Sequence, residues 1–251
     1  MSRTSVYTAL VLRCRHSGES NSEVTFLTAE EGIIKATAFG GPKSKLRAHS
    51  APYNSGQIWI YRDKSKEYGK LSDFDVVSWR PGLRELYERT VTAAAVAQTI
   101  LSSHGGGGEW GTALKLASDT LDTLQSADEE LCPLLEIHFL WRWARFLGIQ
   151  PVIECCAECE QSGDTTLWYS VRENTVLCAD CFSRIQEKES EDGHLRLNPG
   201  CRKWFSAAGE LEPSQIYRYS MDKKSFNEAK SLAASVLPEA FGKRLIISIN
   251  N

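Results

Sequence analysis

The sequence has no long apolar run, no phosphate-binding glycine loop and no histidine–carboxylate metal motif, and each absence removes a class of function. The longest weakly polar stretch, Val91 to Leu101, is mostly alanine. It is far shorter than the roughly 20 residues of a bilayer span, so no membrane partner is expected. Gly40 and Gly41 are followed by Pro42 where a nucleotide-binding loop needs lysine, which excludes an NTP-driven motor. The five histidines, at 16, 49, 104, 138 and 194, stand in neither H-E-x-x-H nor H-x-E patterns. A zinc hydrolase or deaminase is thereby excluded, no catalytic residue is assigned, and the protein is read as no enzyme. Met1-Ser-Arg-Thr runs into strand-like sequence without an apolar signal core, so a cytoplasmic protein is expected.

A large charge of one sign is lacking too. The 251 residues carry a net charge of −3, with 42% hydrophobic and 24% charged residues, ordinary globular values that leave no room for extensive disorder. The charge is unevenly spread. Residues 1–79 hold 11 Lys+Arg against 8 Asp+Glu, a surplus of three, and the remainder holds 18 against 24, a deficit of six. A cationic N-terminal part and an acidic remainder suit one polyanion-facing and one protein-facing surface.

What is present begins with β-sequence. Ser5–Cys14, Glu23–Thr28, Gly32–Phe39, Gln57–Arg62 and Lys70–Trp79 are short runs rich in Val, Ile, Leu, Thr and aromatics, separated by Gly, Ser, Asn and Pro clusters. Five such strands without a long helix between them predict a small closed barrel of the OB type. In Ile58-Trp-Ile-Tyr61, inward isoleucines put Trp59 and Tyr61 outside. Those aromatics either stack nucleobases or pack on the next domain. Between the third and fourth strands, Gly40-Gly-Pro-Lys43-Ser-Lys45-Leu-Arg47 presents three cations on a loop. It is read either as a phosphate contact or as a solvated loop.

From Pro81 the period becomes helical. Leu83, Leu86, Tyr87, Thr90, Val91, Ala94, Ala97 and Leu101 define the face of a first helix, which ends near the Gly105–Gly108 run. Trp110, Leu114, Ala117, Leu121 and Leu124 define a second. A third, about Pro133–Leu147, is apolar nearly all round and reads as the centre of a bundle, with His138 in its core; Ser126 and Glu129 resemble a capping box ahead of it. Further helices are expected at 182–189, 199–208 and 222–237, with a charged exit loop at 187–192.

The sharpest signal is Cys156-Ala-Glu-Cys159, eighteen residues, then Cys178-Ala-Asp-Cys181. Two C-x2-C turns joined by a hairpin, 166–170 and 175–177, bring four thiolates into a tetrahedron. Iron uses the same four sulfurs, and two disulfides would fit the count; structural Zn2+ is the reading adopted, because disulfides are out of place in a cytosolic chain. Four thiolates leave no open position for water, so the site should hold structure. Cys14, Cys132, Cys155 and Cys201 lack ligand spacing and read as reduced cysteines. The whole predicts an α+β multidomain protein. Residues 1–80 form a five-stranded OB-fold barrel, and residues 81–251 an α-helical domain interrupted by a four-cysteine zinc ribbon at 150–184.

In order and spacing, the chain resembles the RecO family of bacterial recombination mediators. The match is carried by Glu19, Phe26-Leu-Thr28 and Glu31-Gly32, by Gly40-Gly-Pro-Lys-Ser44-Lys-Leu46, by Phe146-Leu-Gly148-Ile-Gln-Pro151 ahead of the first cysteine pair, by Tyr169-Ser170 ahead of the second, and by Phe241-Gly-Lys-Arg-Leu245. It departs from the family at Asn174-Thr175, where a glycine pair is usual. The resemblance implies a protein that binds single- and double-stranded DNA, anneals strands, and works with RecR to load RecA onto DNA coated by single-strand-binding protein, whose C-terminal tail it contacts. It also implies a bacterial cytoplasmic, nucleoid-associated location. Lys43, Lys45 and Arg47 become the leading DNA contacts, with Lys35, Arg13, Arg62 and Lys64 behind them, and Cys156, Cys159, Cys178 and Cys181 the zinc ligands. The rival reading is a zinc-containing protein-interaction adaptor that does not touch DNA, supported by the net charge.

Overall fold

Apolar side chains turned inward along five strands between residues 4 and 78 produce a barrel. A computed structural model of the chain describes residues 4–17, 20–40, 44–62, 69–105, 108–186 and 193–237. Lys43, Lys64, the exit run 187–192 and the closing segment 238–251 lie outside the described residues. The chain forms two compact units, residues 1–132 and 133–251.

In the first unit β1 (Thr4–Ser17), β2 (Asn21–Thr28), β3 (Gly32–Ala38), β4 (Ser55–Arg62) and β5 (Gly69–Ser78) close in the order β1-β2-β3-β5-β4. All neighbours run antiparallel except β3 and β5. β1 closes the ring because it is long enough to pair twice, through Thr4–Leu10 with β4 and through Ala9–Ser17 with β2. A bulge between Val11 and Arg13 bends it between these duties. Tyr7, Val11, Val24, Phe26, Ile34, Ile58, Ile60, Leu71 and Phe74 fill the interior, with Phe26 and Phe74 edge to face at 6.1 Å. Ile58 and Ile60 are inside and Trp59 and Tyr61 half-buried outside, as the alternation requires.

Where the sequence reads as a loop between β3 and β4, residues Lys45–His49 form one helical turn, α1. Leu46 packs against the barrel core and draws the chain into that turn. Pro81–Arg84 then make a 3-10 turn before α2 (Tyr87–Ser102) and α3 (Trp110–Leu124). Of the expected face of the first helix, Leu83 and Ala97 are buried and the other positions are not. α2 buries Thr92, Ala93, Val96, Thr99 and Ile100, while Tyr87 is 73% exposed. The extended backbone at Leu86 (φ −131°) breaks the helix, so Leu83 does not share α2's period. α2 and α3 pack on β1 and β2. Gly32, at φ +69°, lets β2 turn into β3 beneath Trp110: a Cβ there would lie 2.7 Å from the indole. Buried Arg80 donates to Asp122 on α3 (2.7 Å) and to the Ser55 hydroxyl (3.1 Å), tying helix to barrel.

α4 (Leu131–Phe146) is buried nearly all round in the second unit, with Trp143, Phe139 and Ile137 fully enclosed. The capping-box expectation fails, because Asp128 accepts from the Leu131 N–H (2.8 Å) and supplies the cap instead. The expected hairpin is present as β6 (Leu167–Ser170) and β7 (Thr175–Leu177), with Asn174 at φ +52° in its turn. A third strand, β8 (His194–Leu197), pairs with β6; the sequence does not announce it. α5 (Ala179–Gln186), α6 (Pro199–Ala208) and α7 (Lys223–Val236) complete the unit. His138 is fully buried with Nε2 3.1 Å from the Leu211 carbonyl, the core position expected of it.

Candidate functional site

Two arrangements carry chemistry. The first is the thiol cluster. The sulfurs of Cys156, Cys159, Cys178 and Cys181 all lie within 4.8 Å of one another, and Cys159 and Cys178 are 3.7 Å apart. A disulfide needs about 2.05 Å. Metal–sulfur bonds of about 2.3 Å in a tetrahedron put neighbouring sulfurs about 3.8 Å apart, so the four residues fit a metal ion. The first knuckle is shaped by backbone bonds from Cys156 N–H to Gln161 and from Glu160 N–H to Cys156, with Glu160 at φ +57°. The Ala157 N–H donates to Val176 and stitches that knuckle to β7. α5 carries Cys181 and begins one residue after Cys178.

The four thiols influence one another's ionisation. Burial opposes ionisation of Cys156, but backbone N–H groups of Cys178, Cys159 and Glu158 bring its thiol down to about 6. Burial, then the three neighbouring thiols, push Cys181 up to about 12. Four like charges gathered in one place need a positive partner. One is supplied by Arg184, whose guanidinium donates to the Cys181 sulfur at 2.8 Å. Trp168 stacks on Phe182 (5.2 Å, 11°) and walls the side of the hairpin. Cys155 stays outside the cluster, bridged to Ser162.

The second arrangement is cationic. Arg13 on β1 and Lys35 on β3 both face Thr25 of β2, so they lie in one row across three strands on the outside of the barrel. The Arg13 Nε is buried without a hydrogen-bond acceptor. The next row reads Arg15, Glu23, Thr37 and Lys70. Lys70 holds its ammonium 5.7 Å over the ring of Phe39, which is 41% exposed. Lys45 is exposed on α1, and Arg47 donates to His16 Nε2 at 2.8 Å. Arg62 is engaged elsewhere. It pairs with Glu31 at 2.6 Å, over the Tyr7 ring, and this contact holds the Glu31 carboxyl below its ordinary range against the opposing effect of burial. Arg15, Lys70 and Phe39 were missed by sequence reasoning. Strand parity could have found two of them, because Arg13 and Arg15, like Lys35 and Phe39, are spaced by even numbers.

Comparison with known proteins decides the relationship. The model for the Recombination protein O N-terminal domain matches residues 1–80, and that for its C-terminal domain matches residues 84–195. The chain belongs to the RecO family. A DNA repair protein RecO of Pelotomaculum thermopropionicum is 30% identical over 214 residues, covering 84% of this chain and 82% of the relative. That of Bacillus subtilis is 30% identical over 183 residues, 70% and 68% of the two chains. That of an Exiguobacterium species is 25% identical over 242 residues, 95% and 91%. The two family models together span the barrel and the cysteine segment. Among the described residues no helix is long and apolar enough to cross a membrane.

Proposed function

We propose that this protein is a DNA-binding recombination mediator and strand-annealing protein of the RecF pathway of DNA repair, acting without covalent chemistry. In this reading residues 1–80 grip single- and double-stranded DNA. Residues 81–251, interrupted by the metal module at 150–184, meet protein partners: RecR, the C-terminal tail of single-strand-binding protein and, indirectly, RecA. The location is the bacterial cytoplasm, at the nucleoid. The observation that carries it is the Arg13–Lys35 row, with Lys70 and Phe39 beside it, on the outside of a five-stranded barrel in a RecO-family chain. Outward strand faces of such barrels bind oligonucleotides.

Arg13, Lys35, Lys45 and Arg47, with Lys43, Lys64 and Arg62, neutralise phosphates and release their counterions. Phe39 offers a ring to a base with little sequence preference. Strands whose repulsion is screened in this way can be held close enough to pair. Cys156, Cys159, Cys178 and Cys181 would hold Zn2+, and with four thiolates around it the ion would offer no position to a reacting water, so its contribution would be to brace the fold.

Filter binding of single-stranded oligonucleotide from low to high salt tests the barrel contact. Replacing Arg13, Lys35, Lys45 and Arg47 with alanine should lower the slope of log affinity against log salt by about 3, near 0.7 for each phosphate no longer neutralised. An unchanged slope rejects this face. The adaptor reading, in which no DNA is bound, draws on the net charge of −3 and on Arg62 being neutralised by Glu31. It requires the unaltered protein to ignore oligonucleotides even in dilute buffer. Annealing of complementary strands coated by single-strand-binding protein separates a mediator from a simple binder.

A further inference from the structure

In the second unit, the described cations divide sharply. Arg142 donates to the Leu211 carbonyl and Arg184 to the Cys181 sulfur. Arg145, Arg172, Arg196 and Lys203 pair with Glu210, Glu173, Glu228 and Asp164. Arg202 is buried and gives all its bonds to backbone carbonyls of Ile153, Glu154, Gly163 and Thr165. Among the described residues, those with neither a carboxylate nor a carbonyl partner are Arg218, Lys223, Lys224 and Lys230, all within thirteen consecutive positions.

Aromatics are interleaved with them. Tyr217 is 63% exposed and Tyr219 39%. The Arg218 guanidinium lies 5.5 Å over the Tyr217 ring and donates from Nε to its hydroxyl at 3.1 Å. The backbone beneath is pinned. Pro213 and Ile216 of a 3-10 turn are buried, the Tyr219 N–H donates to Ile216, and the buried Trp204 indole donates to the Tyr219 carbonyl at 3.1 Å. Two carboxylates lie between 218 and 230: Glu228 is paired with Arg196, and Asp222, exposed at the surface, is the N-cap of α7. It accepts from the Lys224 and Ser225 N–H groups and the Ser225 hydroxyl, and these bonds hold it below the ordinary carboxylate range. It therefore caps α7 and stays ionised, and Arg218, Lys223, Lys224 and Lys230 outnumber this one surface carboxylate. Lys223 and Lys230, seven residues apart, fall on one stripe of that helix.

We infer that Tyr217–Lys224, with Lys230, is a second binding site for single-stranded polynucleotide, separate from the barrel. Its tyrosines stack on bases, and Arg218, Lys223, Lys224 and Lys230 meet the backbone phosphates. Exposed aromatic rings beside a local excess of cations match a flexible polyanion bearing flat bases. A protein carrying one such site on each unit could hold two strands at once.

The test uses the full chain and fluorescent oligothymidine, with an iododeoxyuridine version for photocrosslinking. In a background with the four barrel cations replaced by alanine, low-salt binding should persist, and the crosslink should map to the peptide 213–224. Adding Arg218→Gln, Lys223→Gln and Lys224→Gln should then lower the salt slope by about 2. Tyr217→Ala with Tyr219→Ala should weaken binding at least roughly fivefold per ring with the slope unchanged, and Tyr217→Phe should restore it. Unchanged melting curves would verify folding, since these side chains lie at the surface. If the barrel variant loses all binding and crosslinks map only to the barrel, the second site is refuted while the barrel contact stands. If the barrel variant binds like the parent and crosslinks map only to 213–224, the barrel reading fails and this one holds. If the tyrosine and cation variants bind oligothymidine normally, the patch is a protein-docking surface and the inference is overturned.

Discussion

The barrel and the four-cysteine module hold themselves together by opposite means. The barrel encloses twelve buried apolar side chains inside a ring of strands with no free edge. Around the first knuckle, residues 157 to 165 are all exposed, so burial of apolar area contributes almost nothing there. That segment is held by two sulfurs, a few backbone bonds and the Arg202 guanidinium. The barrel's apolar interior thus leaves its outward positions to polar residues, although the row has a cost there: Thr25 is buried and Arg13 keeps its Nε without an acceptor. In the module the ligand sulfurs are committed to the fold, which is where a bracing role belongs and a reactive one does not.

The comparison can be broken most directly by taking the metal away. Chelation, or Cys178→Ser, should remove stabilisation on the order of 10 kcal/mol from the module. Limited proteolysis followed by mass spectrometry should then show cuts between 154 and 165, while the barrel stays intact. A barrel that melts together with the module would show that the two regions are not independent. Next in size, Phe26→Ala opens a cavity against Phe74 and should cost about 3–5 kcal/mol in denaturant unfolding of the first unit, with metal content unchanged.

A subtler probe is acid. Burial, reinforced by the Arg142 charge, lowers the pKa of His138 to about 4. The unfolded chain therefore binds a proton between about 6.5 and 4 that the folded one refuses, and stability falls as pH drops through that window, by roughly 3 kcal/mol in all. His138→Gln should flatten that dependence in unfolding curves followed by tryptophan fluorescence of the second unit. The smallest effect expected is at the Glu31–Arg62 pair, which is about half exposed. Glu31→Gln should change stability by less than about 1 kcal/mol. It should also tighten oligonucleotide binding slightly by releasing Arg62, and no gain in affinity would place Arg62 outside the nucleic-acid contact.

Legibility in the sequence followed the range of the forces involved. Runs rich in Val, Ile, Leu, Thr and aromatics between turn clusters found all five barrel strands, and alternation placed Ile58 and Ile60 in the interior. Cysteine spacing found the ligand set, because tetrahedral geometry is encoded in two short turns. Failures arose where a distant partner decided the outcome. The break at Leu86 took Leu83 out of α2's period. Asp128, not Ser126, took the cap of α4. β8 exists because β6 offers a free edge to pair with, a cue absent from local composition at 194–197. The basic loop curled into α1 because Leu46 found the barrel core. The outward cations were in view as residues, but their alignment into rows depends on register, which only the paired strands define.

Arg202 has a consequence for anyone wishing to isolate the cysteine knuckles. It sits on α6, beyond residue 195 where the family match ends, yet four carbonyls between 153 and 165 converge on its one guanidinium. A peptide trimmed to the cysteine motif would leave those oxygens to bulk solvent and the loop free to wander. The smallest portable version of this element therefore extends to at least residue 208.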